Sequence, residues 1–392
     1  MPHVTRLAML TLLTACATHD SRPASVIDTL PSGVTTVRNY TPSAWRDSAT
    51  WHFEELTRLE PRDSGFDALV NPGYVAAMDG EGRAYVVDEP PVSIKVFDST
   101  GTFVRAIGRN GEGPGEYRQP RIAVQHGEIY VEDSRLRRIS VFDTSGAFVR
   151  SFHAESNAGG SDGLAIDDSS RIWLRIYHPD PPDEAITFVR YDTIGTLLDT
   201  LRLRQWHDPA VWVVEQGGGR ATYSIPGGPW ELASVTPAGA MLRGWSGAYT
   251  VAVQPSFADT ALLISRDWAP IKIPEAERVE RFEQFSGRVS RFLSPDVVKA
   301  AFHLYDMPTE QPPMKDLDVD PAGRIWVHTA SVDTTASYYD VFSPSGIWQG
   351  SVRAPWRASA AVVWRGADRV LVREVDTDGL ASFIVFRLVG PS

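Results

Sequence analysis

Cysteine is almost absent from this chain: of 392 residues, only Cys16 carries a thiol. An intramolecular disulfide is therefore excluded, and so is any cysteine-based metal site. Long apolar runs are scarce too. The run Leu7-Ala8-Met9-Leu10-Thr11-Leu12-Leu13 near the start is too short to cross a bilayer as a helix. Basic residues are outnumbered, 38 Lys and Arg against 49 Asp and Glu, giving a formal net charge of -11. An acidic surface of that kind disfavours nucleic acid as a partner. Motifs that announce chemistry are scarce as well: the chain holds no His-Glu-x-x-His and no P-loop Lys-Ser/Thr.

What remains is a globular composition, 43% hydrophobic and 22% charged, arranged as a repeat. Its clearest copy is residues 108–152. A glycine- and proline-rich link enters an apolar strand, Ile122-Ala123-Val124; two alternating strands and the turn Thr144-Ser145-Gly146 follow, and residues 147–152 form a last strand. Strand, turn, strand, turn, strand, turn, strand makes one antiparallel blade, which cannot bury both faces without neighbours. Ile94-Lys95-Val96-Phe97-Asp98 matches Ile139-Ser140-Val141-Phe142-Asp143, and Gly101 and Gly146 are 45 residues apart. That spacing is the period of propeller blades.

Further copies start at Gly163-Leu164-Ala165-Ile166, near Trp230, at Leu317-Asp318-Val319 and near Ala360. Between about 274 and 305 the period changes. Val279, Phe282 and Phe285 fall at helical spacing, and Ser294-Pro295-Asp296 reads as a second helix start. The sixth copy ends one strand short, while residues 51–59 form an isolated strand before the first blade. The expected fold is all-β: a six-bladed β-propeller of four-stranded antiparallel blades, the ring closed by that N-terminal strand, with a short helical insert between blades four and five.

At the start, Arg6 and the apolar run read as the front of a secretory signal. Leu13-Thr14-Ala15-Cys16 resembles the bacterial lipobox. The resemblance implies a signal peptide over residues 1–15 and lipid attachment at Cys16, and hence a lipid bilayer as partner. The bland alternative is an ordinary signal peptide with a chance cysteine. Residues 16–45, rich in Ser, Thr, Pro and Asp, are expected to be a flexible tether, and 46–392 the propeller. The expected location is the bacterial cell envelope, at the outer membrane or periplasmic face. Deleting residues 17–40 is then expected to leave the melt unchanged.

The blade words resemble those of NHL-repeat and related six-bladed propellers, which carry Asp-x-x-Gly-Arg-Ile-Trp/Tyr-Val and then Ile-x-Val-Phe-Asp-x-x-Gly. Asp79, Gly82 and Arg83 fit, as do Asp320, Gly323, Arg324, Ile325 and Trp326. The string over residues 108–117 resembles the connector of secreted bacterial members. The resemblance implies a fold more than an activity, since such propellers include binding scaffolds, lyases and lactonases.

The chemical candidates each have a structural counterpart. The glycines of residues 108–115 suit a connector better than a phosphate cradle, because Pro114 removes an amide. Asp79, Asp167, Asp168, Asp318 and Asp320 invite a calcium reading, but a turn carboxylate can bind its own backbone amides instead. We therefore assign no metal and no cofactor. Arg118, Arg121, Arg135, Arg137 and Arg138 form the one local basic cluster; they could line an anion-binding rim, or pair with Glu128, Glu132 and Asp133. His328 directly follows a strand and could approach the channel. Trp206, Trp212, Trp230 and Trp245 could stack on a sugar or simply pack between blades.

The expected function is non-enzymatic: a lipid-anchored scaffold whose loop faces bind a protein, peptide or glycan, with no catalytic residue assigned. The alternative is a metal-dependent hydrolase or lyase of the lactonase kind, with its site in the central channel.

Overall fold

The computed structural model describes residues 23–43, 51–62, 65, 67–89, 91–155, 161–176, 186–203, 206–208, 210–216, 218–255 and 259–390. Cys16 and the leader lie outside them. Six four-stranded antiparallel blades follow one another. Blade one runs through Pro72–Met78, Ala84–Asp88, Ser93–Phe97 and Phe103–Ile107. Blade two comprises Pro120–Gln125, Glu128–Asp133, Arg138–Asp143 and Phe148–His153. Blade three comprises Ser161–Ile166, Ile172–Ile176, Ile186–Tyr191 and Leu197–Leu203. Blade four is built on Glu231–Val235, Met241–Trp245, Thr250–Gln254 and Leu262–Arg266. Blade five comprises Met314–Val319, Ile325–Thr329, Ser337–Phe342 and Trp348–Ala354.

Blade six takes three strands from the C terminus, Ala361–Arg365, Arg369–Val375 and Ala381–Val389, and its fourth from the N terminus, His52–Leu59. The two ends pair antiparallel from His52 opposite Val389 to Leu59 opposite Phe383. The ring is closed by its first blade-forming strand, as the missing strand of the sixth repeat required.

Middle strands have sheets packed on both faces, so they are apolar almost throughout: Ala84–Asp88 is buried at every position. Outer strands are half wet, and Phe148–His153 has no buried position. Every junction between blades carries a core. Ile107 and Ile94 meet Ile129 and Phe142 between blades one and two. Phe53 and Phe386 meet Trp326 and Tyr339 between five and six, and Leu59 and Phe383 meet Met78 and Phe97 between six and one. The junction between six and one exists only because the two ends of the chain meet, and Phe53 of the N-terminal strand adds to the one between five and six.

The Asp-x-x-Gly words stitch blades together. In the turn after the third strand, glycine takes positive φ, and the preceding blade's outer strand presses on it. Gly195 of blade three has φ +90°, and a Cβ there would lie 2.1 Å from Cγ of Phe152 in blade two. Gly195→Ala is expected to cost about 3 kcal/mol, from left-handed backbone and overpacking together. Thermal denaturation would check it. Gly101 of blade one meets Thr57 and Leu59 in the same way, across the closure.

One element departs from expectation. The tether was expected over 16–45, but Ser25–Thr29 and Thr35–Asn39 form a hairpin. Its second strand pairs in parallel with Leu262–Arg266, extending blade four to six strands. The physical reason is the β-branched alternation Thr35-Thr36-Val37, which buries Val37 on the blade. Asn39, fully buried, then bridges to blade five: its side chain accepts from the Trp348 amide at 2.8 Å and donates to the Gly346 carbonyl at 3.0 Å.

The helical insert is present, as α1 (Glu275–Val289) and α2 (Pro295–Ala301), with the Ser294 hydroxyl accepting from the Val297 amide at the N-cap. It has a partner that periodicity did not disclose, a hairpin of Val211–Gln216 and Gly219–Ser224 between blades three and four. Trp212 and Val214 of the hairpin pack on Phe285, Val289 and Phe302 of the insert. The Trp212 indole also donates to Asp306 at 2.8 Å.

Candidate functional site

The aspartates read as calcium candidates divide by place. Asp79, Asp167 and Asp320 each close the turn between the first two strands of a blade. Asp320 Oδ1 accepts from the amides of Ala322 and Arg324, and Oδ2 from Arg324 Nε and the Trp326 indole. Asp167 does the same with Ser169, Arg171 and Trp173, and Asp79 with Glu81, Arg83 and Tyr85. Four donors around one carboxylate leave it no free lone pair aimed at a cation. Among the described residues no group of three or more His, Cys, Asp or Glu is placed to hold a metal ion.

The connector over residues 108–117 is filled by its own side chains. Glu116 accepts from the Gly113 amide at 2.8 Å and from Arg109 at 2.7 Å, where a phosphate would otherwise sit. Tyr117 is buried; its hydroxyl donates to the Ile107 carbonyl and accepts from the Ile94 amide, fastening the connector to blade one.

Three arginines of the basic cluster are engaged in this same architecture. Arg138 donates to the carbonyls of Glu112, Gly113 and Glu116, and Arg118 pairs with Glu112 at 2.9 Å. Arg121 lies opposite Glu132 in the ladder, Nε 3.9 Å from its carboxylate. Arg135 and Arg137 are exposed, Arg137 with φ 52°. Of the acidic partners expected for the cluster, Glu128 instead pairs with Arg150. His328 is far along the chain on blade five and is not part of this group. Trp212 packs in the insert, as described, and Trp206 lies against the Arg243 guanidinium.

A rank of chemistry-bearing groups recurs elsewhere, at one register position of the blades' second strands. The third residue beyond Ile129, Ile172, Ile325 and Val370 occupies one equivalent place in four blades. There stand Glu132, Arg175, His328 and Arg373. Arg373 reaches from blade six to blade one, donating to the Gly73 carbonyl at 2.9 Å and lying 3.9 Å over the Tyr74 ring. His328 stacks on Tyr339 with ring centres 4.8 Å apart. Aligning the blades on their turns would have exposed this charged rank; scanning for local clusters does not.

A cavity of about 1050 Å³ opens at the upper mouth of the channel, where the inner strands of blades five and six begin, and of that rank His328 lines it. Its floor is Asp316, Asp318 and His328, its aromatic wall Trp230, Trp326 and Tyr339, and α1 adds Glu277 and Arg281. A second cavity, about 940 Å³, occupies the channel's other end, and Asp316, Leu317, Asp318 and Val362 line both. Lys315 faces the upper cavity. Burial and the adjacent Arg281 guanidinium hold its ammonium below the usual lysine range.

With that geometry in view, the likenesses to known proteins concern the fold. Residues 67–153 match the family model DUF5128, described as a 6-bladed beta-propeller. The chain is a six-bladed β-propeller. No curated protein matches the sequence. Among solved structures it is similar to a candidate exported protein from Bacteroides fragilis NCTC 9343, with TM-score 0.50, 10% identity, and coverage of 91% of this chain and 100% of that one. It is also similar to a member of the DUF4221 family from Bacteroides vulgatus, with TM-score 0.51, 13% identity and coverage of 88% and 100%. A streptogramin B lyase overlaps at TM-score 0.41 and 11% identity, over 88% of this chain and 99% of that chain, which is too slight to bear on chemistry.

Proposed function

We propose that this propeller is a binding scaffold of the bacterial cell envelope, anchored by an acylated Cys16, with the upper channel mouth as its seat for a peptide, protein segment or glycan. The observation that carries the reading is the cavity of about 1050 Å³, walled by aromatic rings and polar groups from blades four, five and six and flanked by α1. Rigid blades hold such a wall in place, while loops and inserts vary its shape. The insert has its own apolar core, so it can shape the mouth without loosening the ring. For the location, the leader and Leu13-Thr14-Ala15-Cys16 supply the support, and one structural neighbour's description as a candidate exported protein agrees with it.

Glycan and peptide arrays probed with the full chain test the seat. Trp230, which is 44% exposed and lines the mouth, is the residue to remove. Trp230→Ala is expected to weaken array binding roughly fivefold, the worth of one stacking contact. Binding untouched by Trp230→Ala, or turnover of a bound compound, would contradict the reading. The anchor has its own test. Cys16→Ala is expected to move the protein from the membrane fraction to the soluble fraction, and retention with the membrane would remove the lipid claim.

A further inference from the structure

We propose that the upper mouth is an oxyanion seat: Lys315, with Arg281 of α1 beside it, takes the carboxylate or phosphate of a ligand whose ring lies against Trp230. This rests on the mouth being the binding site and specifies what it binds.

The first observation is how Lys315 is presented. On the inner strand of blade five, Met314 pairs with Thr329 and Asp316 with His328, so Lys315 is an extra residue without a ladder partner. A bulge of that kind re-aims one side chain and recurs beside functional sites. Here it turns a lysine into the cavity, from a strand whose neighbours Met314 and Leu317 are buried.

The second observation is the charge around it. Among the described residues Lys315 has no hydrogen bond and no ion pair, although it is half-buried. The Arg281 guanidinium acts on its ammonium, and Asp316 and Asp318 line the same cavity. Glu277 is paired with Arg281 along the helix, and Lys272 on the rim with Glu310. Lys315 is therefore a partly desolvated cation with no ion pair of its own, and an incoming oxyanion meets its ammonium without first breaking one.

The third observation is the fit of Arg281. A Cβ on Gly227 would lie 2.7 Å from its Nη1, so the guanidinium occupies the space that a side chain there would fill. Trp230, three residues on, lines the same cavity. Cations and an indole face on one wall suit an anion attached to a flat body.

Isothermal titration of the full chain with four probes tests this. Benzoate and phenyl phosphate carry the oxyanion; benzyl alcohol and benzylamine carry the same ring without it. The two oxyanions are expected to bind about tenfold or more tighter than benzyl alcohol, and their ranking tells carboxylate from phosphate. Lys315→Met is expected to lose that advantage with its melting temperature kept, and Lys315→Arg to retain part of it. Benzylamine or benzyl alcohol binding as tightly as benzoate would overturn the proposal, as would an unchanged Lys315→Met or no oxyanion binding at millimolar concentration. If the oxyanions fail while array ligands still bind and respond to Trp230→Ala, the seat stands and its charge preference is wrong. If the array ligands fail as well, the seat itself is misplaced.

Discussion

Removing residues 46–60 is expected to abolish the cooperative thermal transition of the whole propeller. The deletion takes away the outer strand of blade six, whose pairing runs from His52–Val389 to Leu59–Phe383. It also takes a buried side chain out of two junctions at once. Phe53 sits between Trp356 at 4.8 Å and Trp326 at 6.5 Å, and Leu59 packs with Met78 and Phe97 of blade one. A ring held by its six junctions has two of them weakened together, and the exposed edge of Ala381–Val389 becomes a template for aggregation. Phe53→Ala alone is expected to cost about 3–5 kcal/mol, the usual price of truncating a buried phenylalanine.

Deleting residues 23–43 is the informative comparison. If that segment were only a tether, the melt would not change. Because Thr35–Asn39 pairs with blade four and Asn39 bonds blade five, the deletion is expected to lower the melting temperature while keeping a single transition. An unchanged melt would mean that the hairpin adds nothing, and equal collapse from both deletions would remove the special role of closure.

The second large effect is expected at Asp320. Its carboxylate is fully buried and takes four hydrogen bonds, two of them from Arg324 and Trp326 side chain atoms. Asp320→Ala leaves those donors without an acceptor and Arg324 without its counter-charge, at a cost of about 3 kcal/mol or more. Asp320→Asn keeps the shape and part of the bonding and is expected to fall between. Chemical denaturation distinguishes this from a metal role. A structural carboxylate predicts the same loss with chelator present or absent, whereas a loss seen only in the presence of calcium would favour coordination.

Much of this architecture is legible in the chain because each blade states it again. The match of residues 94–98 with 139–143 fixes strand order, and the sixth repeat's missing strand points directly to residues 51–59. The Asp-x-x-Gly-Arg words announce their own hydrogen bonds, since a carboxylate two residues before an amide and four before an arginine can reach both. The hairpin at 25–39 was hidden for a physical reason. Its attachment is a parallel pairing to a strand more than 200 residues away, which leaves no local turn signal, and its Ser- and Thr-rich composition resembles a linker. The hairpin at 211–224 is stabilised by helices that follow it by some 60 residues, so its own period says little.

The site was the least legible part. The arginines of blade two drew attention because they are neighbours in sequence, yet Arg138 and Arg118 bind the connector. Arg281 and Lys315 are 34 residues apart and meet only after folding. One trace was available. The buried positions Met314, Leu317 and Val319 break strict alternation with a step of three, which marks a bulge at the mouth.

The closure is tested most directly by a cross-link between the two ends of the chain. Glu54 and Arg387 face each other across the closing strands and form an exposed ion pair at 2.8 Å. In a Cys16→Ala background, Glu54→Cys with Arg387→Cys is expected to oxidise to an intramolecular disulfide in the folded protein and to raise the melting temperature. Thiols that stay free under native conditions, or that link only between molecules, would contradict a ring closed by its own N-terminal strand.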